Sequence, residues 1–301
     1  MKRFFMKPYR WAILFSLLLM GSATFVLLDT FVIPQSIQKV QTKSDTQTED
    51  TTTSQSSVVL TDNSYQDDNI KITIETVQKY NSTIYIADIQ VSDASYLKTA
   101  FANDTYGRNI KDTTSDIASA NNAILAVNGD YYGFRDSGYV LRNGVLYRST
   151  ARKTGDDGAL VINAAGDFSI IHESQVSAKS LGDDISQILS FGPSLIESGQ
   201  ITVSSTSEVS QSMASNPRTA IGQVSSLHYV IIVSDGRTSK SAGISLLELA
   251  QELKDRGCTT AYNLDGGGSS TLYFNGNVIN NPTDGKTTGE REVSDIVYFG
   301  Y

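Results

Sequence analysis

The chain has one cysteine among its 301 residues, Cys258, so no disulfide can form within it. An exported domain of this kind depends on its hydrophobic core rather than on covalent staples, and about 230 residues suffice for that. Cys258 follows Gly257 at the end of an expected helix and is read as a buried structural thiol. Histidine is almost as scarce. His172 and His228 stand far apart in strand-like contexts, which argues against a zinc centre. Positive charge is in the minority too, with 24 Lys and Arg against 32 Asp and Glu and a net charge of -8. That balance argues against a nucleic-acid partner, and any recognition of phosphate has to come from locally placed arginines.

The N-terminus is built differently. Lys2, Arg3, Lys7 and Arg10 precede an apolar run from Trp11 to Leu28, and Phe31-Val32-Ile33 resumes it before Pro34. That length is close to the lower limit for a membrane-spanning helix and longer than a usual signal-peptide core. The charge bias places the N-terminus in the cytoplasm and the rest outside. A cleaved signal peptide, cut near Gly21-Ser22-Ala23, is the rival; a retained single-pass anchor in the cell membrane is favoured. Residues 34–69, rich in Ser, Thr, Gln and Asp, read as a disordered tether, because such a run buries too little apolar surface to offset its ordering entropy. The expected organisation is a cytoplasmic segment 1–10, a transmembrane signal anchor 11–33, a linker 34–69 and a domain 70–301.

Within the domain, Ile70–Ile74 and Ile84–Ile89 alternate with period two, and further short strands recur as far as Ile296–Phe299. Arg142-Asn143-Gly144 and Asn275-Gly276-Asn277 mark hairpin turns. Ser245 and Glu248 form a capping box, with Leu246, Leu249, Ala250 and Leu253 as the apolar stripe of a helix that Gly257 stops. A second helix is expected from Thr114 to Asn121. These patterns predict a single strand-rich α+β domain with a mixed sheet and a few helices.

Four polar, glycine-bearing clusters stand at strand ends: Asn128-Gly129-Asp130-Tyr131-Tyr132-Gly133-Phe134, Asn216-Pro217-Arg218-Thr219-Ala220-Ile221-Gly222, Ser234-Asp235-Gly236-Arg237, and Asn263-Leu264-Asp265-Gly266-Gly267-Gly268-Ser269-Ser270-Thr271. Asn-Gly-Asp and Asp-Gly are also ordinary turn chemistry. Three consecutive glycines followed by Ser-Ser-Thr exceed what a turn needs, and their amides can form an anion-binding nest. The loop lacks the lysine of a P-loop, so a nucleotide site is not indicated.

In this order the four clusters resemble the phosphodiester glycosidase family, over a stretch from about Asn128 to the C-terminus. Phe191-Gly192-Pro193-Ser194-Leu195-Ile196 and Arg291-Glu292-Val293-Ser294-Asp295 are also similar to family segments. Tyr131-Tyr132 stands where many relatives carry Phe-Phe, which preserves the aromatic character. The resemblance implies cleavage of a sugar-1-phosphodiester into free sugar and phosphomonoester. A phosphate leaving group relaxes the need for a strong general acid and raises the need for a cationic or amide cradle. Arg218 and Arg237 are the expected cradle, with the Gly266–Thr271 backbone and hydroxyls adding donors. Asp265 is expected to react as nucleophile or base, with Asp130 as its partner. Asn128, Gly129, Tyr131, Tyr132, Asp235, Asn263, Gly266, Gly267, Gly268, Ser269, Ser270 and Thr271 complete the expected substrate site, where Tyr131, Tyr132 and Phe134 offer an aromatic platform. The oxygen-rich set Asp130, Asp235, Asp265 and Asn263 is a candidate for Ca²⁺ or Mg²⁺.

The context of anchor and stalk suggests a cell-wall, capsule or exopolysaccharide glycan as substrate. Two alternatives remain open: a metal-dependent phosphodiesterase that breaks the P–O bond, and a non-catalytic module that binds wall polymer or exopolysaccharide.

Overall fold

Strand Ile70–Lys79 buries Ile70, Ile72 and Ile74 and exposes the residues between them, as its alternation requires. Tyr80 and Asn81, both at positive φ, turn it into strand Ser82–Val91, and the two pair over their full length. The structure, a computed structural model, describes residues 9–39, 58–153, 157–207 and 215–301. These hairpin strands belong to a nine-stranded sheet ordered Gln200–Ile201, Ser194–Glu197, Thr260–Asn263, Arg218–Ser225, His228–Ser234, Ser82–Val91, Ile70–Lys79, Ser64–Gln66, Val59–Leu60.

Helix Leu246–Asp255 covers one face of this sheet, opened by the expected capping box of Ser245 and Glu248. Its Leu246, Leu249, Ala250 and Leu253 pack on Ile84, Ile86, Val230 and Ile232, and Cys258 is buried among them. On the other face lies the main core, where Ile72, Ile89 and Ile231 join Leu125, Val127, Val297 and Phe299 of one five-stranded sheet and Leu160 and Ile162 of another. The first of these sheets has Ala123–Asn128 at its centre, between Leu272–Phe274 and Asp295–Gly300. Helix Thr114–Ala120 seals its outer side, placing Ile117 and Ala118 against Ala126 and Ile296.

The domain is α+β and strand-rich. Its pairing differs from the mixed sheet expected: every ladder among the described residues is antiparallel. Hairpins explain part of this, joining Ile70–Lys79 to Ser82–Val91 and Arg218–Ser225 to His228–Ser234, while Ser82–Val91 and His228–Ser234 pair antiparallel although far apart in the chain. The segment assigned to the linker is also more ordered than its composition suggests. Residues 40–57 lie outside the described residues, but Gln35–Lys39 pairs with Thr105–Arg108, and 58–69 form the edge of the large sheet. Here the polar residues satisfy one another. Asp67 accepts the amides of Asn69 and Ile70 at 2.8 and 2.7 Å and the hydroxyls of Tyr65 and Tyr301 at 2.6 Å.

Ahead of the domain, helix Arg10–Phe31 is long and apolar enough to cross a membrane, with a mean hydropathy of 2.2 and no buried residue. It fits a membrane anchor.

Candidate functional site

Strand pairing brings the four polar clusters to one end of the fold. Ala220 lies opposite Asn263 and Arg218 opposite Ser234, while Val127 lies between Leu272 and Val297 in the neighbouring sheet. Asn128, at the end of its strand, ties the two sheets together. Its side-chain amide donates to the Asp265 carbonyl at 2.7 Å, and its Oδ1 accepts from the Thr219 hydroxyl at 2.9 Å and the Thr271 amide at 3.4 Å. The Asp265 amide in turn donates to the carbonyl of Gly129.

Two cavities meet at this loop. The larger, about 660 Å³, is lined by Arg135, Lys153, Arg218, Arg237, Asn263 and Gly266–Gly267, with Phe191, Val203 and Leu246 as its apolar wall. The smaller, about 320 Å³, is lined by Gly129, Tyr131, Phe134, Ser269, Asp284 and Arg291. Asp265 lines both. Burial is the largest influence on its carboxyl and pushes the pKa up, opposed by Ser269, by the charges of Arg291 and Arg135 and by the Gly266 amide.

The glycines of the loop are required by close packing. A Cβ on Gly267, whose φ is 65°, would stand 2.7 Å from Arg237 Nη2. On Gly268 it would stand 2.6 Å from Asp284 Oδ1 and 2.7 Å from Arg291 Nε. The loop thus lies between two guanidinium groups, Arg237 on the side of the larger cavity and Arg291 on the side of the smaller. Arg237 Nε donates to Asn216 Oδ1 at 3.1 Å, and Arg291 is paired with Asp284 at 2.5 Å. Arg218 Nε donates to the carbonyl of Ile244.

Most amides of the triple-glycine loop are turned to partners within the protein. Gly266 N–H donates to Asp265 Oδ1, Gly267 N–H to Pro217, and the amides of Ser269 and Ser270 close the short 3₁₀ turn Gly267–Ser269 on itself. Those donors are therefore already engaged. The buried oxygens Asn263 Oδ1, Ser270 Oγ and Thr271 Oγ1 have no hydrogen-bond partner within the protein. An unmet buried acceptor costs about 1–3 kcal/mol, so these oxygens are a local cost carried by the loop.

Asp130 lies elsewhere. It is fully buried and ion-paired with Arg142 at 2.9 Å, and Arg142 also holds Asp295 at 2.7 Å. Burial opposes ionisation of Asp130, but Arg142, the Ser190 amide and Arg148 outweigh it and hold the carboxyl low; for Asp295 burial prevails and the pKa rises. Asp130 also accepts the amides of Tyr132 and Ser190. It lines neither cavity. Asp235 likewise faces inward, accepting from Asn281 N–H, Asn280 Nδ2 and Tyr85 OH, and its pKa is raised by burial. With Asp130 and Asp235 so placed, the oxygen set considered for Ca²⁺ or Mg²⁺ does not assemble. Among the described residues no three His, Cys, Asp or Glu side chains gather as a metal site.

The expected aromatic platform divides. Tyr132 is core, packed between Phe101 and Tyr106. Tyr131 is exposed at φ 66° and stacks on Phe134 with centroids 4.7 Å apart, on the wall of the smaller cavity. A non-glycine residue held in the left-handed region stores about 1–3 kcal/mol and recurs at functional sites. Arg135, Lys153, Asp284 and Arg291 were not singled out by sequence. Arg291 had a signal, its place in the Arg291–Asp295 segment, and Asp284 had another, the Asp284-Gly285 pair at the turn of a short hairpin.

The site so defined is a strand-rich α+β domain with the Asp265 carboxylate between two cavities, both of which carry basic side chains. Residues 121–300 match the family model described as phosphodiester glycosidase, and the chain belongs to that family. It is 30% identical over 203 residues to the uncharacterised SPbeta prophage-derived protein YomE of Bacillus subtilis, a match covering 65% of this chain and 31% of that one. It is 42% identical over 67 residues to human N-acetylglucosamine-1-phosphodiester alpha-N-acetylglucosaminidase, covering 22% and 13% of the two chains. The chain thus spans less than a third of these curated relatives. In fold it is similar to the zebrafish form of that enzyme's catalytic domain, auto-inhibited by its pro-peptide, with a TM-score of 0.61 and 20% identity over 77% of this chain and 83% of that one. A putative exported protein of Burkholderia pseudomallei aligns with a TM-score of 0.52 and 14% identity, covering 72% and 74%.

Proposed function

We propose that the domain hydrolyses a sugar-1-phosphodiester between C1 and the phosphate oxygen, on the outer side of the membrane that holds the chain. The observation that carries this reading is the position of Asp265, the one side chain among the described residues that lines both cavities. A sugar-1-phosphodiester has two unlike arms joined at the reacting carbon. The sugar matches the smaller cavity, where Tyr131 and Phe134 present an aromatic face. The phosphate and its alcohol match the larger one, where Arg218, Arg237, Arg135 and Lys153 gather in a chain of net charge -8.

In the reaction water oxygen becomes bonded to C1, and the C1–O bond to phosphate breaks with its electron pair leaving on the phosphate. Asp265 acts ionised, adding to C1 first or taking the proton from the attacking water. Retained configuration in the released sugar identifies the first course and inverted configuration the second. Arg218 and Arg237 stabilise the charge on the departing phosphate, in place of the loop amides that the protein already engages. Asp130 acts through position: with Arg142, Asp295 and Asn128 it fixes the loop that carries Asp265. A cell-wall, capsule or exopolysaccharide glycan with sugar-phosphate links is the proposed natural substrate class. The basic N-terminus supports a cytoplasmic start and an external domain.

The test is turnover by the full chain in detergent on a panel of sugar-1-phosphodiesters, beside Asp265→Asn and Arg237→Ala. Free sugar released by the parent and not by Asp265→Asn is expected. Release of sugar-1-phosphate would make the protein a phosphodiesterase. Binding of wall polymer with no turnover, unchanged in both variants, would make it a binding module.

A further inference from the structure

The junction between the apolar helix and the domain is built rather than loose. The last carbonyls of a helix have no partner within it. At the end of helix Arg10–Phe31 the domain supplies one: Asn109 Nδ2 donates to the carbonyls of Thr30 and Ile33 at 3.0 and 3.2 Å. Gln35 Nε2 donates to the carbonyl of Asp29 at 3.1 Å. Gln35–Lys39 then pairs with Thr105–Arg108, Gln35 opposite Arg108 and Ser36 opposite Gly107. Gly107 is a glycine for a local reason, since a Cβ there would strike the carbonyl oxygen of Gln35.

The strand that receives Gln35–Lys39 leads into the back of the site. Asn109 N–H points to the carbonyl of Gly133 at 3.5 Å, and Arg108 is paired with Asp136 at 3.0 Å. The loop 131–137 so held gives Tyr131 and Phe134 to one cavity and Arg135 and Ser137 to the other. Gln35 follows Phe31 by four residue steps, which span no more than about 14 Å when fully extended. The rim shared by both cavities is therefore tied to the point where the apolar helix ends.

We infer that this junction holds the site at the bilayer surface to act on a glycosyl phosphodiester whose alcohol arm is a lipid of the same membrane. A domain on a flexible stalk samples a large volume and meets soluble and wall-bound substrates alike. A docked domain gives up that reach and gains a high effective concentration toward groups displayed at its own height. The apolar wall of the larger cavity, Phe191, Val203 and Leu246, suits the first methylenes of such an arm. The inference rests on the glycosidase chemistry above and on membrane insertion of the helix, and it replaces the wall or capsule polymer with a membrane-linked glycosyl phosphodiester as the substrate.

The experiment uses the full chain in vesicles, with the same sugar-1-phosphate head group on a soluble short-chain alcohol or on a lipid in the same vesicles. Ser36→Pro with Gln38→Pro removes ladder donors from the juxtamembrane strand and touches neither cavity. Wild type is expected to turn over the lipid form at least about tenfold faster than the soluble form at matched bulk concentration. The proline variant should keep the soluble rate and lose that preference. Equal wild-type rates on the two substrates, or a preference that survives the prolines, would overturn the inference.

A second readout separates docking from catalysis. A dye on Ser119→Cys, exposed on helix Thr114–Ala120, reports energy transfer to an acceptor in the bilayer, Cys258 being buried. Transfer should fall in the proline variant, and unchanged transfer would show that the strand does not hold the domain. Transfer that falls as expected, with no turnover of either substrate by wild type, would leave the docking standing and sink the glycosidase reading with the substrate inferred from it.

Discussion

The side-chain amide of Asn128 donates to the backbone carbonyl of Asp265 at 2.7 Å, joining two motifs 137 residues apart. Through this bond the end of one sheet sets the position of a carboxylate at the end of another. Consequences follow for activity and for stability.

Asp265→Asn should lower turnover by about 10²–10⁴-fold, the usual range for loss of a reacting acid–base group. Because Asp265 works ionised and burial raises its pKa, the wild-type rate should rise with pH along a limb above the ordinary Asp value of about 4. Stability should move the other way. A folded-state pKa above the unfolded one means stability present at low pH and lost as pH rises through the folded value. Asp265→Asn should then melt higher than wild type at neutral pH, with the difference vanishing at acid pH; about 2–4 °C corresponds to each kcal/mol in a domain of this size. A variant that melts lower at neutral pH would contradict this.

Arg142→Leu should destabilise the fold by about 3–5 kcal/mol, read from the denaturant midpoint, because it leaves the buried Asp130 and Asp295 without their shared cation. Exposed pairs such as Lys111–Glu292 should be worth about 1 kcal/mol or less by the same measurement.

Gly267→Ala and Gly276→Ala both place a side chain at positive φ, yet only the first meets a guanidinium, Gly276 facing open space. Both should lose about 1–2 kcal/mol of stability. Only Gly267→Ala should also lose activity, by about 10²-fold through displacement of Arg237, with the larger change in kcat.

Tyr131→Ala should raise KM by about 2- to 10-fold with little change in kcat, as expected for an aromatic contact worth about 0.5–1.5 kcal/mol. Tyr132→Ala, in the core, should instead cost about 3–5 kcal/mol of stability.

Local patterns determined much of this protein. Alternation over Ile70–Ile74 and Ile84–Ile89 marked two strands that extend to Ile70–Lys79 and Ser82–Val91, the Ser245–Glu248 box opened its helix, and the apolar run from Trp11 formed one. Each depends on neighbours within a few residues, which a sequence displays directly. The triple-glycine loop was legible too, because three glycines mark a place where nothing larger fits. Only the tertiary structure decided what they make room for, two guanidinium groups from Arg237 and Arg291. It also separated Asp130 from Asp265, since burial and the partnership with Arg142 are set by strands far apart in the chain. The polar stretch 58–69 became a sheet edge for the same reason: Asp67 finds Tyr301 across a sequence separation of 234, once the chain between them has folded. Composition reports how much a segment can bury, whereas the partners that satisfy its polar groups exist only once the chain has closed on itself.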